Sequence, residues 1–83
     1  MNSSLQDKIR AYILDNYLFT DDISKLGLDD SLLERGIVDS TGMLDIILFI
    51  ETELGTKVED EEMIPENLDS VNRIASFVTS KGN

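Results

Sequence analysis

Gly36-Ile37-Val38-Asp39-Ser40-Thr41-Gly42-Met43-Leu44 decides the fold, because it marks the start of the most apolar helix in the chain. Gly36 breaks the preceding turn, Asp39 is an N-cap by residue type, and Ser40 opens the first turn. The first amides of a helix have no acceptor within it, and the helix dipole is positive there. A phosphoester on Ser40 fits that environment. An Asp-Ser pair at a helix start is also common capping chemistry, so the elements around it must decide what it means.

Downstream, helix two is expected from Ser40 to about Leu54, with Gly55 as its stop. Met43, Ile46, Ile47, Ile50 and Leu54 share one stripe and form the expected core face. Leu44 and Leu48 fall away from it, beside Thr41, Asp45 and Thr52, and suggest a docking face. The bland alternative is that a central helix is covered on several sides. Gly42 gives up about 1 kcal/mol of helix propensity relative to alanine. Either it lets a partner or an attached arm pass close to Ser40, or it is a tolerated glycine near a frayed end.

Beyond Gly55, Val58 leads into Glu59-Asp60-Glu61-Glu62, then Met63, Ile64 and Pro65, which permits only a short, imperfect helix three limited by the proline. Asp69 or Ser70 caps helix four, where Val71, Ile74, Ala75 and Val78 form the inward stripe before a frayed tail over 80–83. Upstream, Leu5, Ile9, Tyr12 and Ile13 recur at helical spacing, giving helix one from Ser4 to about Tyr17. Phe19, Ile23, Leu26 and Leu28 are spread among acids and glycine in a long loop, and are expected to plug back onto the bundle. Ser31-Leu32-Leu33-Glu34 has a capping-box pattern. The sum is one all-α domain over 1–83, with its helical core at about 4–79. Its fold class is a four-helix antiparallel bundle with three main helices, one short helix and a long loop between helices one and two.

Composition limits what such a domain can do. The chain has 83 residues, with 17 acids against 7 bases and a net charge of −10. That field repels nucleic acid and anionic lipid and favours partners with basic patches. There is no cysteine and no histidine, so disulfides, thiolate metal sites and the commonest general base are all missing. A self-contained enzyme is not expected. EF-hand registers built on Gly27 or Gly36 put Leu26, Leu33 or Gly42 where oxygen ligands belong, and the run Glu59 to Glu62 reads as a solvated turn, so no metal site is assigned. No apolar run has transmembrane length, and the first residues lack signal-peptide regions. A cytoplasmic monomer without membrane insertion is the expectation.

In the order of its elements the chain resembles the acyl and peptidyl carrier proteins. The likeness covers helix one, the long plugged loop, Gly36 ahead of Asp39-Ser40, an acid-flanked helix two ending Glu51-Thr52-Glu53-Leu54-Gly55, the acidic turn and a final helix. In that family an Asp-Ser-Leu motif carries a 4'-phosphopantetheine arm on its serine. Here the motif reads Asp39-Ser40-Thr41. The resemblance implies that Ser40 takes the arm from coenzyme A through a magnesium-dependent phosphopantetheinyl transferase, and that acyl or aminoacyl groups ride on the arm's thiol as thioesters. It implies that Asp39 caps the helix and engages the transferase. It implies that Asp45 and Glu51 stand where many acyl carriers hold acids that meet the basic docking patches of downstream acyl-processing enzymes, and Thr41, Leu44 and Leu48 complete the expected partner-facing set.

Two departures refine the expectation. Thr41 stands where the motif usually has leucine, which removes an apolar contact beside the serine. The Gly36-Ile37-Val38-Asp39-Ser40 spacing looks more like discrete carriers served by a stand-alone adenylate-forming ligase, including the D-alanyl carriers, than like fatty-acid carriers. In the family, long cargo can fold back between the helices. Here that depends on whether the Ile46, Ile50, Met63 and Ile64 region opens. The competing reading is a helical interaction module that uses Leu44 and Leu48 and leaves Ser40 unmodified.

Overall fold

The computed structural model describes residues 2–81, and the expectation of fraying at residues 82 and 83 lies outside them. Four helices and no strand are found among the described residues: α1 Asn2–Ile13, α2 Ser40–Glu53, α3 Pro65–Leu68 and α4 Val71–Ser80. Three are long and one is a single turn, as the apolar spacing requires. α1 runs on as a wider π-type turn, Leu14–Leu18, ended by Phe19 in the left-handed region at φ 55°. A non-glycine residue there costs about 1–2 kcal/mol.

The core draws on all four helices and on the loops between them. Ile9, Ile13 and Leu14 of the first helix and its extension meet Ile46, Ile47, Phe49 and Ile50 of α2 and Val71, Ile74, Phe77 and Val78 of α4. Each such side chain contributes about 1.5–3 kcal/mol when fully buried. Met43 and Leu54, expected in the core, are only half-buried. Phe49, outside the expected stripe, is buried because Tyr12 stacks on it at 4.1 Å between ring centroids and 19° between planes. α2 thus buries a second face against α1.

The long loop divides into anchors and projections. Leu26, Leu32 and Val38 are buried and Leu28 is half-buried, whereas Phe19 and Ile23 stand in solvent, contrary to the expectation that all the loop's early apolar residues plug inward. Asp69 fixes the second half. Its carbonyl accepts the Leu32 amide at 2.8 Å, and its carboxylate accepts the Leu33 amide at 2.9 Å and the Ser31 hydroxyl at 2.5 Å. Asp69 is therefore a loop clamp, and the α4 cap is Ser70, whose Oγ accepts the Arg73 amide at 3.1 Å. Further along, Asn72 donates from its backbone to Leu28 O at 2.9 Å and from its side chain to Asp29 Oδ1 at 2.7 Å.

Two readings around the short helix and the C-terminal end are corrected. Pro65 opens α3 as its first residue instead of limiting a helix before it, because the missing N–H is unneeded at that position. The acids Asp60–Glu62 form a separate single turn of 3₁₀ helix. Ser80 still belongs to α4, and Lys81, expected to fray, donates to Glu62 at 2.7 Å.

Candidate functional site

Ser40 is the first residue of α2 and is exposed. The loop delivers it there through Leu32, whose carbonyl accepts the amides of Ile37 and Val38 at 2.9 and 3.2 Å, and through Gly36, which takes φ 69°. Asp39 leaves the loop in extended backbone, and its Oδ1 accepts the Gly42 amide at 2.8 Å, which makes it the N-cap. The amides of Ser40 and Thr41 have no acceptor inside the helix, so the positive end of α2 lies at the serine hydroxyl.

Ser40 also stands at the rim of an apolar cleft of about 240 Å³ between α2 and the α3 region. Met43, Leu44 and Ile47 form the α2 wall, and Met63, Ile64 and Pro65 face them. Leu44 is 61% exposed and Ile64 40%, so this is an open groove at the surface. Ile46 and Ile50, grouped with Met63 and Ile64 on sequence grounds, sit instead in the closed core at 1% and 0% exposure. The groove uses Ile47 because it lies on the side of α2 that turns toward α3.

The other residues expected to face partners are distributed around α2. Thr41 is exposed one residue after Ser40. Leu48 is 58% exposed and lines a separate cleft with Tyr12, Phe49 and Thr52. Leu44 and Leu48 thus form one apolar ridge with a groove on each flank. Asp45 is exposed, but its carboxylate lies 3.3 Å from the Tyr17 hydroxyl. Glu51 is exposed too, and accepts the Val58 amide at 3.1 Å, which steadies the chain after α2.

Tyr17 was not singled out by its sequence context, yet it secures the first turn of α2. Its hydroxyl lies 3.2 Å from Gly42 O, and its ring meets Tyr12 edge-on at 6.3 Å. Gly42 is buried beneath it, and a Cβ there would come within 3.1 Å of Val38 Cβ and 3.3 Å of Tyr17 Cε1. Close packing of Val38 and Tyr17 therefore leaves little room for a side chain at this position. Gly42→Ala is expected to destabilise the protein despite alanine's advantage of about 1 kcal/mol in a helix, and to destabilise it less when Tyr17 is already alanine, because the Val38 contact remains. A double-mutant cycle of urea unfolding measures that coupling.

Burial raises the phenol of Tyr17 above its ordinary value of 10.0, with Tyr12 and then Asp45 adding repulsion against the anion. Tyr12 is also raised, first by burial and then by Asp45. Above pH 10 the unfolded chain loses phenolic protons that the native state keeps, so the unfolded state binds fewer protons and stability falls as pH rises. The stabilisation is complete below that pH. Tyr17→Phe is expected to flatten the fall, measured as unfolding midpoint against pH, with tyrosinate absorbance of the native protein rising later than that of free tyrosine.

Among the described residues no cluster of three or more acids is arranged to hold a metal ion, and no helix is long and apolar enough to cross a membrane. No protein-family profile matches the chain. It is 33% identical over 61 residues to the D-alanyl carrier protein of Streptococcus suis, covering 74% of this chain and 76% of that one. It is 29% identical over 66 residues to the D-alanyl carrier protein of Streptococcus thermophilus, covering 80% and 82%. An exposed serine on a capped helix start in an all-α bundle, together with this extent of likeness, places the chain in the acyl and peptidyl carrier protein family, as a D-alanyl-carrier-like member.

Proposed function

We propose that Ser40 bears 4'-phosphopantetheine and that the chain presents a short acyl or aminoacyl group on it to partner enzymes. The observation that carries the reading is the exposed Ser40 hydroxyl at the capped start of α2, on the rim of an apolar groove. The residues fit the group. The hydroxyl is open to attack on coenzyme A, and the first-turn amides favour the phosphodiester that results. In the transfer the Ser40 Oγ bonds to the pantetheine-side phosphorus of coenzyme A, the bridging P–O bond of the pyrophosphate breaks, adenosine 3',5'-bisphosphate leaves, and the hydroxyl proton passes to the transferase. When attached, the arm supplies the thiol that this cysteine-free chain lacks and on which cargo is held as a thioester.

The chain's own residues position and expose that arm. Asp39 holds the first turn, Tyr17 braces it, and Met43, Leu44 and Ile64 offer apolar surface beside the attachment point. Thr41, Leu44, Asp45, Leu48 and Glu51 form the surface offered to the transferase, to an adenylate-forming ligase and to acyl-processing enzymes with basic patches. The D-alanyl group named for the relatives is the cargo proposed here, and a shallow surface groove suits small cargo. The chain is a cytoplasmic substrate of these enzymes and performs no catalysis itself.

The test is intact mass after incubation with coenzyme A, magnesium and a broad-specificity phosphopantetheinyl transferase. One phosphopantetheinyl adduct supports the carrier reading. Absence of any adduct on folded protein, with several transferases, would favour an interaction module built on the Leu44 and Leu48 ridge.

A further inference from the structure

Two large apolar side chains just after the first helix are used neither by the core nor by the groove beside Ser40. Phe19 is 84% exposed and Ile23 is 61% exposed. The backbone that carries them is tied down. The Phe19 amide donates to Leu14 O, the Thr20 amide donates to the same oxygen at 3.2 Å, and Asp22 Oδ1 accepts the Ser24 amide at 3.0 Å. The phenyl ring is thus held outward by a backbone conformation that side-chain-bearing residues rarely adopt.

Ile23 also walls a cleft of about 390 Å³ against α1 and its extension. Ala11 and Leu14 supply further apolar lining, and Asp7, Asp15 and Asp21 bring carboxylates to it. Arg10, the one cation among the described residues of the wall, is drawn inward: its guanidinium lies 3.6 Å from Asp7 and donates to Leu26 O at 3.4 Å. The cleft therefore combines an apolar path with a surplus of negative charge. That combination matches a long side chain with a methylene stem and a cationic end.

We propose that the Phe19 and Ile23 surface docks a protein segment presenting an Arg or Lys side chain next to an apolar residue. The stem lies along Ala11, Leu14 and Ile23, the cation meets Asp15 and Asp21, and the apolar neighbour covers Phe19. Charge selects this occupant. A second copy of a chain carrying −10 is repelled, and so is an anionic bilayer. None of the residues lining this cleft lines the groove beside Ser40, so a partner can sit here while Ser40 is engaged.

The test is a titration of isotope-labelled protein, followed by amide chemical shifts, with the acetylated tripeptide amide Leu-Arg-Leu. The same peptide with norleucine for arginine, and vesicles of phosphatidylcholine or phosphatidylglycerol, serve as controls. The arginine peptide is expected to shift the amides of Ala11, Asp15, Thr20, Asp21 and Ile23, with an affinity that weakens roughly tenfold between about 50 and about 500 mM salt. The pair Asp15→Asn and Asp21→Asn is expected to weaken binding roughly tenfold, and Phe19→Asn a few-fold, while asparagine, which tolerates the left-handed backbone, keeps the protein folded. Equal binding of the norleucine peptide, shifts centred on Leu44 and Leu48, or shifts at these amides with vesicles alone would each overturn the proposal.

Discussion

Ser40→Ala is expected to abolish the phosphopantetheinyl adduct while leaving the unfolding free energy within about 0.5 kcal/mol of that of the parent protein. Both halves follow from the position of the residue. Ser40 is exposed at the first helical position, where alanine is a good helix former, and the cap is provided by Asp39. Asp39→Ala is the informative contrast. It removes the bond to the Gly42 amide and should cost about 0.5–2 kcal/mol, and it should slow arm transfer without abolishing it, because the hydroxyl remains. Intact mass gives the first readout and urea unfolding the second. An adduct that survives Ser40→Ala would move the attachment to another hydroxyl and sink the assignment.

Leu32→Ala is expected to destabilise the domain by about 2–5 kcal/mol, a large share of the 5–15 kcal/mol that holds a typical domain together. Leu32 lies in a loop, but it has 0% exposure, its amide donates to Asp69 O, and its carbonyl accepts two amides from the turn that leads to Asp39. Removing the side chain leaves a cavity under the segment that delivers Ser40. Leu33→Ala, at 38% exposure one residue away, is expected to cost less than about 1 kcal/mol. Urea midpoints at unchanged slope compare the two. Equal effects would mean that the loop is held by its backbone bonds and not by its buried side chain.

Much of this was legible along the chain. The spacing of Ile9 and Ile13, of Ile46, Ile47 and Ile50, and of Val71, Ile74 and Val78 announces three long helices, because one face of a small bundle helix must be apolar. Asp39 as cap and Ser40 as first residue follow from the local chemistry of helix starts, which needs only neighbouring residues. The likeness to D-alanyl carriers read from Gly36 to Ser40 is matched by the relatives.

Other assignments required knowledge of what lies opposite. Asp69 and Ser70 are both good caps by residue type, and only the loop packed against Asp69 shows that one clamps while the other caps. By residue type Gly42 fits an open approach or a frayed end equally, and only the packing of Val38 and Tyr17 against it shows a crowded position; whether Ile46 lines a cargo path is open in the sequence, and the fold buries it in the core.

The sequence by itself determined the helical periodicity, the helix start at Ser40, the strongly negative field and the absence of thiol and imidazole chemistry, since each of these depends on residue type and on neighbours within a turn or two. Only the tertiary structure decided which loop side chains anchor and which project, that the groove beside Ser40 is walled by Ile47 and Ile64, and that Phe19 and Ile23 face solvent. Those outcomes turn on contacts between segments far apart in the chain, where burial is settled by the packing of a partner surface and not by the hydrophobicity of the residue itself.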